Sequence, residues 1–396
     1  MTHVSNADLL ARFDAVMMPT YAPPLPLVRG EGCTVWDADG RAYLDLIAGI
    51  AVSSLGHAHP AVVDAVSKQV ATIAHTSNLF CNEPAVMLAE RLLGLLGSDG
   101  RVFFTNSGTE ANEAAFKLVR KYAGPERSYV VAAEKSFHGR TMGSLALTGK
   151  AAIREPFGPF GAEVVFVPYG DVEALTHAVT NKTAALFLEP MLGEGGVVPA
   201  PAGYLRAARE ICTATGAVFV LDEIQSGIGR TGAWFLHQSE GIVPDVITLA
   251  KGLAAGLPIG ACIGLGSFGD VFAKSDHGST FGGNPVAAAA ALAVINTIDA
   301  DDLLGHVAKV GHHLLEGLAT VEHPALVGVR GRGLWLGLAL SGNTAPTVEK
   351  AARDAGFLVN AVQPDAIRIA PPLLLSLGEA DRFVTALPGI LEGSAL

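Results

Sequence analysis

A buried strand and a turn meet in Asp245-Val-Ile-Thr-Leu-Ala-Lys-Gly-Leu-Ala-Ala-Gly-Leu-Pro-Ile-Gly260. The β-branched run 246–249 predicts the strand, so Lys251 lies where the strand ends and the chain turns. Most lysines are exposed and, with a pKa of roughly 10.4, are almost entirely ammonium ions at neutral pH. A lysine held beside an apolar sheet has a lowered pKa and a nucleophilic amine. The stretch alone leaves both interpretations open, a solvated loop lysine and a reactive one.

A second apolar strand, predicted over 217–221, ends in Asp222. A carboxylate at the end of a buried strand needs a cationic partner, and ligands of open α/β sheets bind beyond the carboxyl ends of the strands. The separation of Asp222 and Lys251 is enough for one βα unit and the next strand, so both side chains can reach one crevice. Together they suit pyridoxal phosphate. The lysine can form an imine with it, and the carboxylate can keep the pyridine nitrogen protonated so that the ring acts as an electron sink.

Six short motifs follow one another along nearly the whole chain. They are Asn106-Ser-Gly-Thr-Glu-Ala-Asn112, Ser136-Phe-His-Gly-Arg-Thr141, Leu221-Asp-Glu-Ile-Gln225, Thr248-Leu-Ala-Lys-Gly252, His277-Gly-Ser-Thr-Phe-Gly-Gly-Asn-Pro285 and Arg368-Ile-Ala-Pro-Pro372. Each motif is weak by itself, but their joint presence in this order resembles the class III (subgroup II) pyridoxal-phosphate aminotransferases. The resemblance implies that Lys251 holds the cofactor and moves a proton between substrate and cofactor carbons, and that Asp222 contacts the ring nitrogen.

Apolar runs separated by helical segments predict a sheet of seven strands. Their ranges are 102–104, 129–132, 164–167, 184–188, 217–221, 246–249 and 261–264. The alternation of strands and helices indicates an α/β fold with a mostly parallel sheet flanked by helices, and the resemblance implies the aspartate-aminotransferase-like fold of pyridoxal-phosphate-dependent transferases. We expect residues 56–298 to form this large cofactor-binding domain. We expect residues 299–396 to form a smaller α+β domain, joined by the N-terminal segment 1–55, since chain ends often pack together.

The composition argues against several classes of protein. The chain has 396 residues, half of them apolar, and a net charge of −11 without a basic run, so nucleic acid and anionic membranes are poor candidates as partners. The four cysteines show no metal-ligand spacing, and His57-Ala-His59 lacks an acidic or cysteine partner, so we expect no metal site. No leader or spanning apolar run is evident, and we expect a cytoplasmic protein. The G-x-G-x-x-G match at 264–269 lacks the acidic residue of a dinucleotide site and is interpreted as a turn.

A loop of small hydroxyl and glycine residues, Ser107-Gly108-Thr109, lies between the first predicted strand and a long helix. Free N–H groups and the helix dipole at such an N-terminus bind phosphate, although Ser and Thr also cap many ordinary helices there. We favour phosphate binding because the loop follows the first strand of the sheet. The resemblance assigns Ser107, Gly108 and Thr109 to the cofactor phosphate.

The motif at 136–141 places an aromatic ring and a guanidinium after the next strand. Phe137 can stack on a flat cofactor or pack in the core, and Arg140 can bind a carboxylate through its planar fork or lie on the surface. The resemblance implies that Phe137 covers the pyridine ring and that Arg140 binds the α-carboxylate of an N-acetylated substrate. It also implies that Gln225 hydrogen-bonds the ring hydroxyl. His138 is interpreted as structural.

Two further pairs of residues gain roles only from the resemblance. Glu194, in a glycine-rich turn, pairs with Arg368 in similar enzymes and uncovers it when the α-carboxylate of glutamate has to be bound. Thr280 reaches the cofactor phosphate of the neighbouring subunit, and Ser279 lies near the substrate. The last two roles require a homodimer with shared active sites. The sequence shows Glu194 and Arg368 but not their contact.

The resemblance implies an aminotransferase of arginine biosynthesis. It would move the terminal amino group of N2-acetyl-L-ornithine to 2-oxoglutarate, giving N-acetyl-L-glutamate 5-semialdehyde and L-glutamate. Within this fold, the alternative amino donors are ornithine, 4-aminobutyrate and a succinylated diamine. An aminomutase is the alternative type of enzyme. Ornithine δ-aminotransferases are expected to have a tyrosine where this chain has Ile50, and isoleucine cannot hydrogen-bond a free α-amine, which favours an acylated substrate. Two alternatives come from other classes of protein. An NAD-dependent dehydrogenase would need the segment 264–269 to bind its dinucleotide, and a non-catalytic binding protein would need no reactive lysine.

Overall fold

The structure, a computed structural model, describes residues 4–394. Its strands are β1 (Leu27–Glu31), β2 (Thr34–Asp37), β3 (Ala42–Asp45), β4 (Gly100–Thr105), β5 (Tyr129–Ala133), β6 (Glu163–Val167), β7 (Thr183–Leu188), β8 (Met191–Leu192), β9 (Val198–Pro199), β10 (Val218–Asp222), β11 (Val246–Leu249), β12 (Gly260–Leu265), β13 (Leu326–Arg332), β14 (Trp335–Leu340), β15 (Phe357–Leu358), β16 (Asn360–Gln363) and β17 (Ala366–Ile369). Its helices are α1 (Asn6–Val16), α2 (Ala48–Ala51), α3 (Pro60–Thr72), α4 (Glu83–Leu96), α5 (Gly108–Ala123), α6 (Met142–Ala146), α7 (Ala151–Arg154), α8 (Val172–Ala178), α9 (Tyr204–Thr215), α10 (Leu236–Ser239), α11 (Pro285–Ala300), α12 (Leu303–Ala319), α13 (Ala345–Asp354) and α14 (Leu377–Gly393).

The largest sheet has seven strands in the order β4-β12-β11-β10-β7-β5-β6. β12 is antiparallel to both of its neighbours, whereas the other four pairs are parallel. Every residue of β7, β10, β11 and β12 is buried. Strands covered on both faces have continuous apolar runs rather than alternating ones, which is why they were recognisable in the sequence. The predicted sheet is confirmed, and each strand lies within two residues of its predicted bounds.

This topology brings the carboxyl ends of six strands to one edge of the sheet. β4 and β11 run in the same direction on either side of β12, so that Thr105 pairs with Gly260 at the end of β4. At the end of β10, Asp222 pairs with Thr248. The segments that follow β4, β5, β7, β10 and β11 therefore meet at the same edge, where ligands of open α/β sheets bind.

The C-terminal part of the chain forms a second layer of structure. An antiparallel sheet has the order β13-β14-β17-β16, and α12 packs on β13 while α13 packs on β16. A third sheet joins β15 to the N-terminal strands, since Phe357 pairs in parallel with Leu44 of β3. The hairpin of β2 and β3 thus shares a sheet with a C-terminal strand. The domain boundaries at 55/56 and 298/299 stay a prediction.

One turn near the sheet edge has an unusual backbone. All four residues of α2, Ala48–Ala51, have φ between 48 and 67°, a left-handed conformation that costs roughly 1–2 kcal/mol for each residue with a side chain. The Asp45 carboxylate anchors the start of the turn by accepting the N–H groups of Ile47 (3.0 Å) and Ala48 (2.8 Å). Val52, directly after the turn, faces the cleft described below.

The segment 264–269 ends β12 and continues into a 3₁₀ turn at Gly266–Asp270. Its interpretation as a turn is confirmed. Within residues 4–394, no helix is long and apolar enough to cross a membrane. In the same residues, no group of three or more His, Cys, Asp or Glu side chains is placed to hold a metal ion.

Candidate active site

A cleft of about 330 Å³ opens at the edge where the central strands end. The segments after β4, β5, β7, β10 and β11 line it, together with Val52 and the turn 256–259. The predicted site residues that it brings together are Ser107, Gly108, Thr109, Phe137, Arg140, Asp222, Gln225 and Lys251. Arg368 and Glu194 are connected to the cleft through Gln225, whose side-chain oxygen accepts a hydrogen bond from Arg368 (3.0 Å).

Lys251 is the second residue after β11, with its side chain at the cleft. Its φ of 44° is uncommon for a residue with a side chain, and the hydroxyl of Ser54 fixes the turn by donating to the carbonyl of Gly252 (2.7 Å). Burial lowers the pKa of Lys251 to about 8, with the Arg368 guanidinium acting in the same direction against nearby carboxylates. At that pKa roughly a tenth of the amine is unprotonated at pH 7, a few hundred times the fraction of an ordinary lysine. The environment supports the reactive interpretation.

The carboxylate of Asp222 is held by donors from three different elements. Its Oδ2 accepts a hydrogen bond from Asn112 Nδ2 (2.7 Å) and lies 2.8 Å from His138 Nδ1, while Oδ1 accepts the N–H of Ile224 (3.1 Å). The Asn112 amide is itself fixed, because the Thr248 hydroxyl donates to its oxygen (2.9 Å). Asp222 is only 4 % exposed, so these contacts set the direction in which the carboxylate faces the cleft.

His138 therefore has a closer link to the site than the structural role expected from the sequence. Its ring is buried, and its Nδ1 contacts Asp222. Burial by itself lowers the pKa of His138, but the hydrogen bond and charge of Asp222 outweigh it, and the pKa lies above its ordinary value. His138 orients Asp222 and is a positioning residue.

Glu189 lines the cleft and connects two of its loops. One carboxylate oxygen accepts the N–H of Phe137 (2.9 Å) and the other accepts the N–H of Gly193 (3.0 Å). Burial raises the pKa of Glu189 to about 7. The residue fixes the loop that carries Phe137 relative to the glycine-rich turn that carries Glu194.

The Ser107–Thr109 loop caps α5 and also lines the cleft. Ser107 is the N-cap of α5, because its hydroxyl accepts the N–H of Glu110 (3.3 Å). Thr109 Oγ1 accepts the N–H groups of Arg140 and Thr141 (both 3.0 Å) and so ties the loop after β5 to α5. All three residues of the loop nevertheless line the cleft at the first turn of a 16-residue helix, where an anion is stabilised by the helix dipole.

Phe137 and Arg140 face the same cleft. The Arg140 guanidinium carbon lies 5.7 Å from the centroid of the Phe137 ring. Arg140 is exposed, and within residues 4–394 its guanidinium forms no ion pair with a carboxylate. It is a cation available to a ligand.

Arg368, by contrast, is buried, and both of its terminal nitrogens donate hydrogen bonds. One terminal nitrogen, Nη1, donates to Glu194 Oε1 (2.6 Å) and to Gln225 Oε1 (3.0 Å), and Nη2 donates to Asn360 Oδ1 (2.7 Å). The contact between Glu194 and Arg368 that the sequence left open is present. Gln225, expected at the ring hydroxyl, both lines the cleft and contacts Arg368.

Ser279 and Thr280 are not among the residues that line the cleft. Ser279 Oγ accepts hydrogen bonds from the Asn106 amide (3.3 Å) and from the N–H of Gly282 (2.9 Å), so it supports the residue that directly precedes the Ser107–Thr109 loop. Thr280 is exposed. A role for Thr280 at the phosphate of a second subunit stays a prediction.

Sequence reasoning missed three polar residues that hold the site. Asn112 lies on the buried face of α5, and a polar residue on an apolar helix face was the available signal. Asn360 contacts Arg368, and Lys150 contacts Glu194. No local sequence pattern indicates either contact.

The sequence is similar to proteins of one known family. A family model described as class-III aminotransferase matches residues 17–391. The chain is 57% identical to the acetylornithine aminotransferase of Mycolicibacterium smegmatis, covering 98% of this chain and 99% of that protein. It is 54% identical to that of Streptomyces coelicolor, covering 99% and 97%.

Solved structures give the same picture of the fold. An ornithine aminotransferase from Toxoplasma gondii superposes with a TM-score of 0.94 at 31% identity, covering 99% of this chain and 95% of that one. An N-acetylornithine aminotransferase from Stenotrophomonas maltophilia superposes with a TM-score of 0.84 at 34% identity, covering 97% and 98%.

Proposed function

The chain belongs to the class-III aminotransferases, enzymes that use pyridoxal phosphate, and we infer its reaction from the residues of the cleft. When bound, this cofactor supplies an electron-withdrawing ring and a carbon that carries the amino group from one substrate to the next. The residues of the cleft fit it chemically. The first turn of α5 offers N–H groups to the phosphate, Asp222 offers a carboxylate to the ring nitrogen, and Lys251 offers an amine of lowered pKa.

We propose that the amino donor is N2-acetyl-L-ornithine and the acceptor 2-oxoglutarate, with N-acetyl-L-glutamate 5-semialdehyde and L-glutamate as products. This would place the enzyme in arginine biosynthesis. The acetylornithine aminotransferases, at up to 57% identity over nearly the full chain, support this choice of substrate. The observation that carries the mechanism is the 2.6 Å contact between Glu194 and Arg368.

The two substrates pose a problem of geometry that this contact addresses. N2-acetyl-L-ornithine reacts at its terminal amine, far from its one carboxylate, whereas glutamate reacts at the α-carbon and carries a second carboxylate. The reacting nitrogen has to meet the same point in the cleft each time, so one fixed cation cannot serve both substrates. We propose that Arg140 binds the distal carboxylate of either substrate. Arg368 binds the α-carboxylate of glutamate, and Glu194 covers Arg368 when no such carboxylate is present.

The remaining residues act on protons and on orientation. When its amine is not bonded to the cofactor, Lys251 would move a proton between the reacting carbon atoms of the substrate and the cofactor. The lowered pKa of the amine suits that task at neutral pH. Asp222 faces the ring nitrogen in a direction fixed by Asn112 and His138. Phe137 covers one face of the ring, and Gln225 donates toward the ring hydroxyl.

A homodimer with shared active sites is part of the proposal. Leu79, Phe80 and Phe281 are 87, 71 and 59 % exposed, and Asn78 links their two loops by donating to the carbonyls of Ser279 (3.0 Å) and Gly282 (2.9 Å). An apolar surface of this kind is typical of an interface, and Thr280 belongs to it. Sedimentation analysis measures the state of assembly. A monomer with full activity would contradict both the dimer and the role of Thr280.

A substrate panel tests the proposed function. The purified protein should show visible absorption from its cofactor, and kcat/KM should be highest for N2-acetyl-L-ornithine among that compound, ornithine, 4-aminobutyrate and N2-succinyl-L-ornithine. A preference for ornithine or 4-aminobutyrate would overturn the choice of substrate while leaving the aminotransferase family intact. Ile50 is the residue to replace next, because it lies two positions before the cleft residue Val52.

The expected cytoplasmic location stays a prediction, to be checked by cell fractionation.

A further inference from the structure

Glu194 has two cationic neighbours. Its Oε1 lies 2.6 Å from Arg368 Nη1, and its Oε2 lies 3.3 Å from Lys150 Nζ. The side chains of Lys150 and Glu194 are 22 and 21 % exposed, whereas that of Arg368 is 1 % exposed. The carboxylate thus lies between a buried cation and one that is closer to solvent.

Arg368 keeps its position without help from Glu194. Its two terminal nitrogens also donate to the neutral side-chain oxygens of Gln225 (3.0 Å) and Asn360 (2.7 Å). It lies on β17, which is hydrogen-bonded on one side to β14 and on the other to β16. The guanidinium therefore stays in place when Glu194 moves away.

The backbone around Glu194 is also held. Gln363 Nε2 donates to the carbonyl of Glu194 (2.6 Å), Arg330 donates to the carbonyl of Gly196 (2.7 Å), and Gly193 N–H donates to Glu189 (3.0 Å). With both ends of the turn fixed, uncovering Arg368 requires rotation of the Glu194 side chain and no movement of the loop.

We propose that Lys150 is a positioning residue that holds the Glu194 carboxylate while a glutamate or 2-oxoglutarate carboxylate occupies Arg368. The proposal rests on the proposed function and deepens it. A carboxylate that leaves a buried cation without another partner carries a large desolvation cost, and it would repel the incoming carboxylate. Lys150 supplies that partner at a contact that already exists, so it lowers the cost of uncovering Arg368 and favours the glutamate half-reaction.

The test follows the two half-reactions of the holoenzyme separately by stopped-flow spectroscopy. Lys150→Met keeps most of the stem and removes the charge. It should slow the half-reactions with glutamate and with 2-oxoglutarate by about two- to fivefold, the range for a partly exposed ion pair, and should slow that with N2-acetyl-L-ornithine less. Lys150→Arg should restore the loss. Lys350→Met is the matched control, because its ion pair with Asp354 (2.7 Å) lies on α13, and it should change neither half-reaction.

A double-mutant cycle separates an action through Glu194 from direct contact with substrate. In a Glu194→Ala background, Lys150→Met should have no further effect. An effect that persists there, or an equal loss in both half-reactions of the single variant, would overturn the proposal. If the wild-type enzyme does not use N2-acetyl-L-ornithine, the proposed function fails. The same variants, with glutamate and the amine donor that the enzyme does use, still decide the role of Lys150.

Discussion

Two carboxylates of the site differ in how they are held: Asp222 lines the cleft, and Glu194 lies beside it, connected through Arg368 and Gln225. We call the first the fixed end of the site and the second the adjustable end. At the fixed end, Asp222 is buried, and its oxygens form hydrogen bonds with Asn112, His138 and the N–H of Ile224. At the other end, Glu194 is shared between Arg368 and Lys150, with 21 % of its side chain exposed. The Asp222 carboxylate is thus held in one direction, whereas the Glu194 carboxylate contacts two cations at once and can leave Arg368 while it keeps Lys150.

This difference matches what each end has to bind. A cofactor that stays in the site through both half-reactions benefits from a group held in one direction, since fixed dipoles need no reorganisation during the reaction. Two substrates of different charge require an end that can present a cation in one step and cover it in the next. Fixed donors around Asp222 and competing cations around Glu194 meet these two needs.

The largest effect is expected at Lys251, which lies at the cleft that both ends face and is required whichever substrate is bound. Lys251→Ala should lower turnover by about 10⁴-fold or more, because it removes the nucleophile and the proton carrier together. Turnover and the circular dichroism spectrum are the measurements, and the fold should survive. Wild-type turnover, or borohydride attachment of the cofactor to another lysine, would contradict the assignment.

The fixed end is tested by Asp222→Asn, which keeps the shape and removes the charge. A hydrogen bond to a charged group contributes roughly 1.5–3 kcal/mol, and we expect the transamination rate to fall by about 10²-fold or more, equally in both half-reactions, with the cofactor still bound. Single-turnover rates and cofactor absorbance measure the two effects separately. A near-normal single-turnover rate would show that this end contributes little.

The adjustable end is tested by comparing two arginines. Arg368→Ala should slow the glutamate half-reaction by about 10- to 100-fold, the loss expected for a charged hydrogen bond, and should slow the N2-acetyl-L-ornithine half-reaction far less. Arg140→Ala should slow both. Stopped-flow rates of each half-reaction in both directions are the measurement. Equal losses in the two half-reactions of Arg368→Ala would remove the distinction between the ends.

A smaller effect than that of Arg368→Ala is expected for Glu194→Ala, which leaves Arg368 uncovered at all times. Glutamate then no longer competes with the Glu194 carboxylate, so the ratio of the glutamate rate to the N2-acetyl-L-ornithine rate should rise by about three- to tenfold. The ratio is measured under the conditions used for Arg368→Ala. A ratio that stays at the wild-type value would mean that Glu194 does not cover Arg368 in solution.

The sequence predicted best the residues that follow buried strands. The runs 217–221 and 246–249 are continuous and apolar because helices cover both faces of their sheet, so Asp222 and Lys251 could be placed at one edge of the sheet. The N-terminus of α5 could be predicted for a similar reason, since its cap is local in sequence.

Contacts between distant segments could not be read in this way. The pair Glu194 and Arg368 depends on a turn after β8 and a strand of the C-terminal sheet meeting beneath the cleft. His138 was assigned a structural role because nothing adjacent to it indicates that its ring contacts Asp222. Lys150 lies between a loop and a short helix, and only the folded chain shows that it contacts a carboxylate of the site.

The pairing of β3 with β15 has a consequence for how the chain folds during synthesis. Leu44 is synthesised 313 residues before its partner Phe357. At a synthesis rate of 5–20 residues per second, the edge of β3 stays without its partner strand for roughly 15–60 s. All seven strands of the central sheet are made in that interval. We expect the sheet that carries Asp222 and Lys251 to form first, and the exposed edge of β3 to be the surface of the nascent chain most in need of a chaperone.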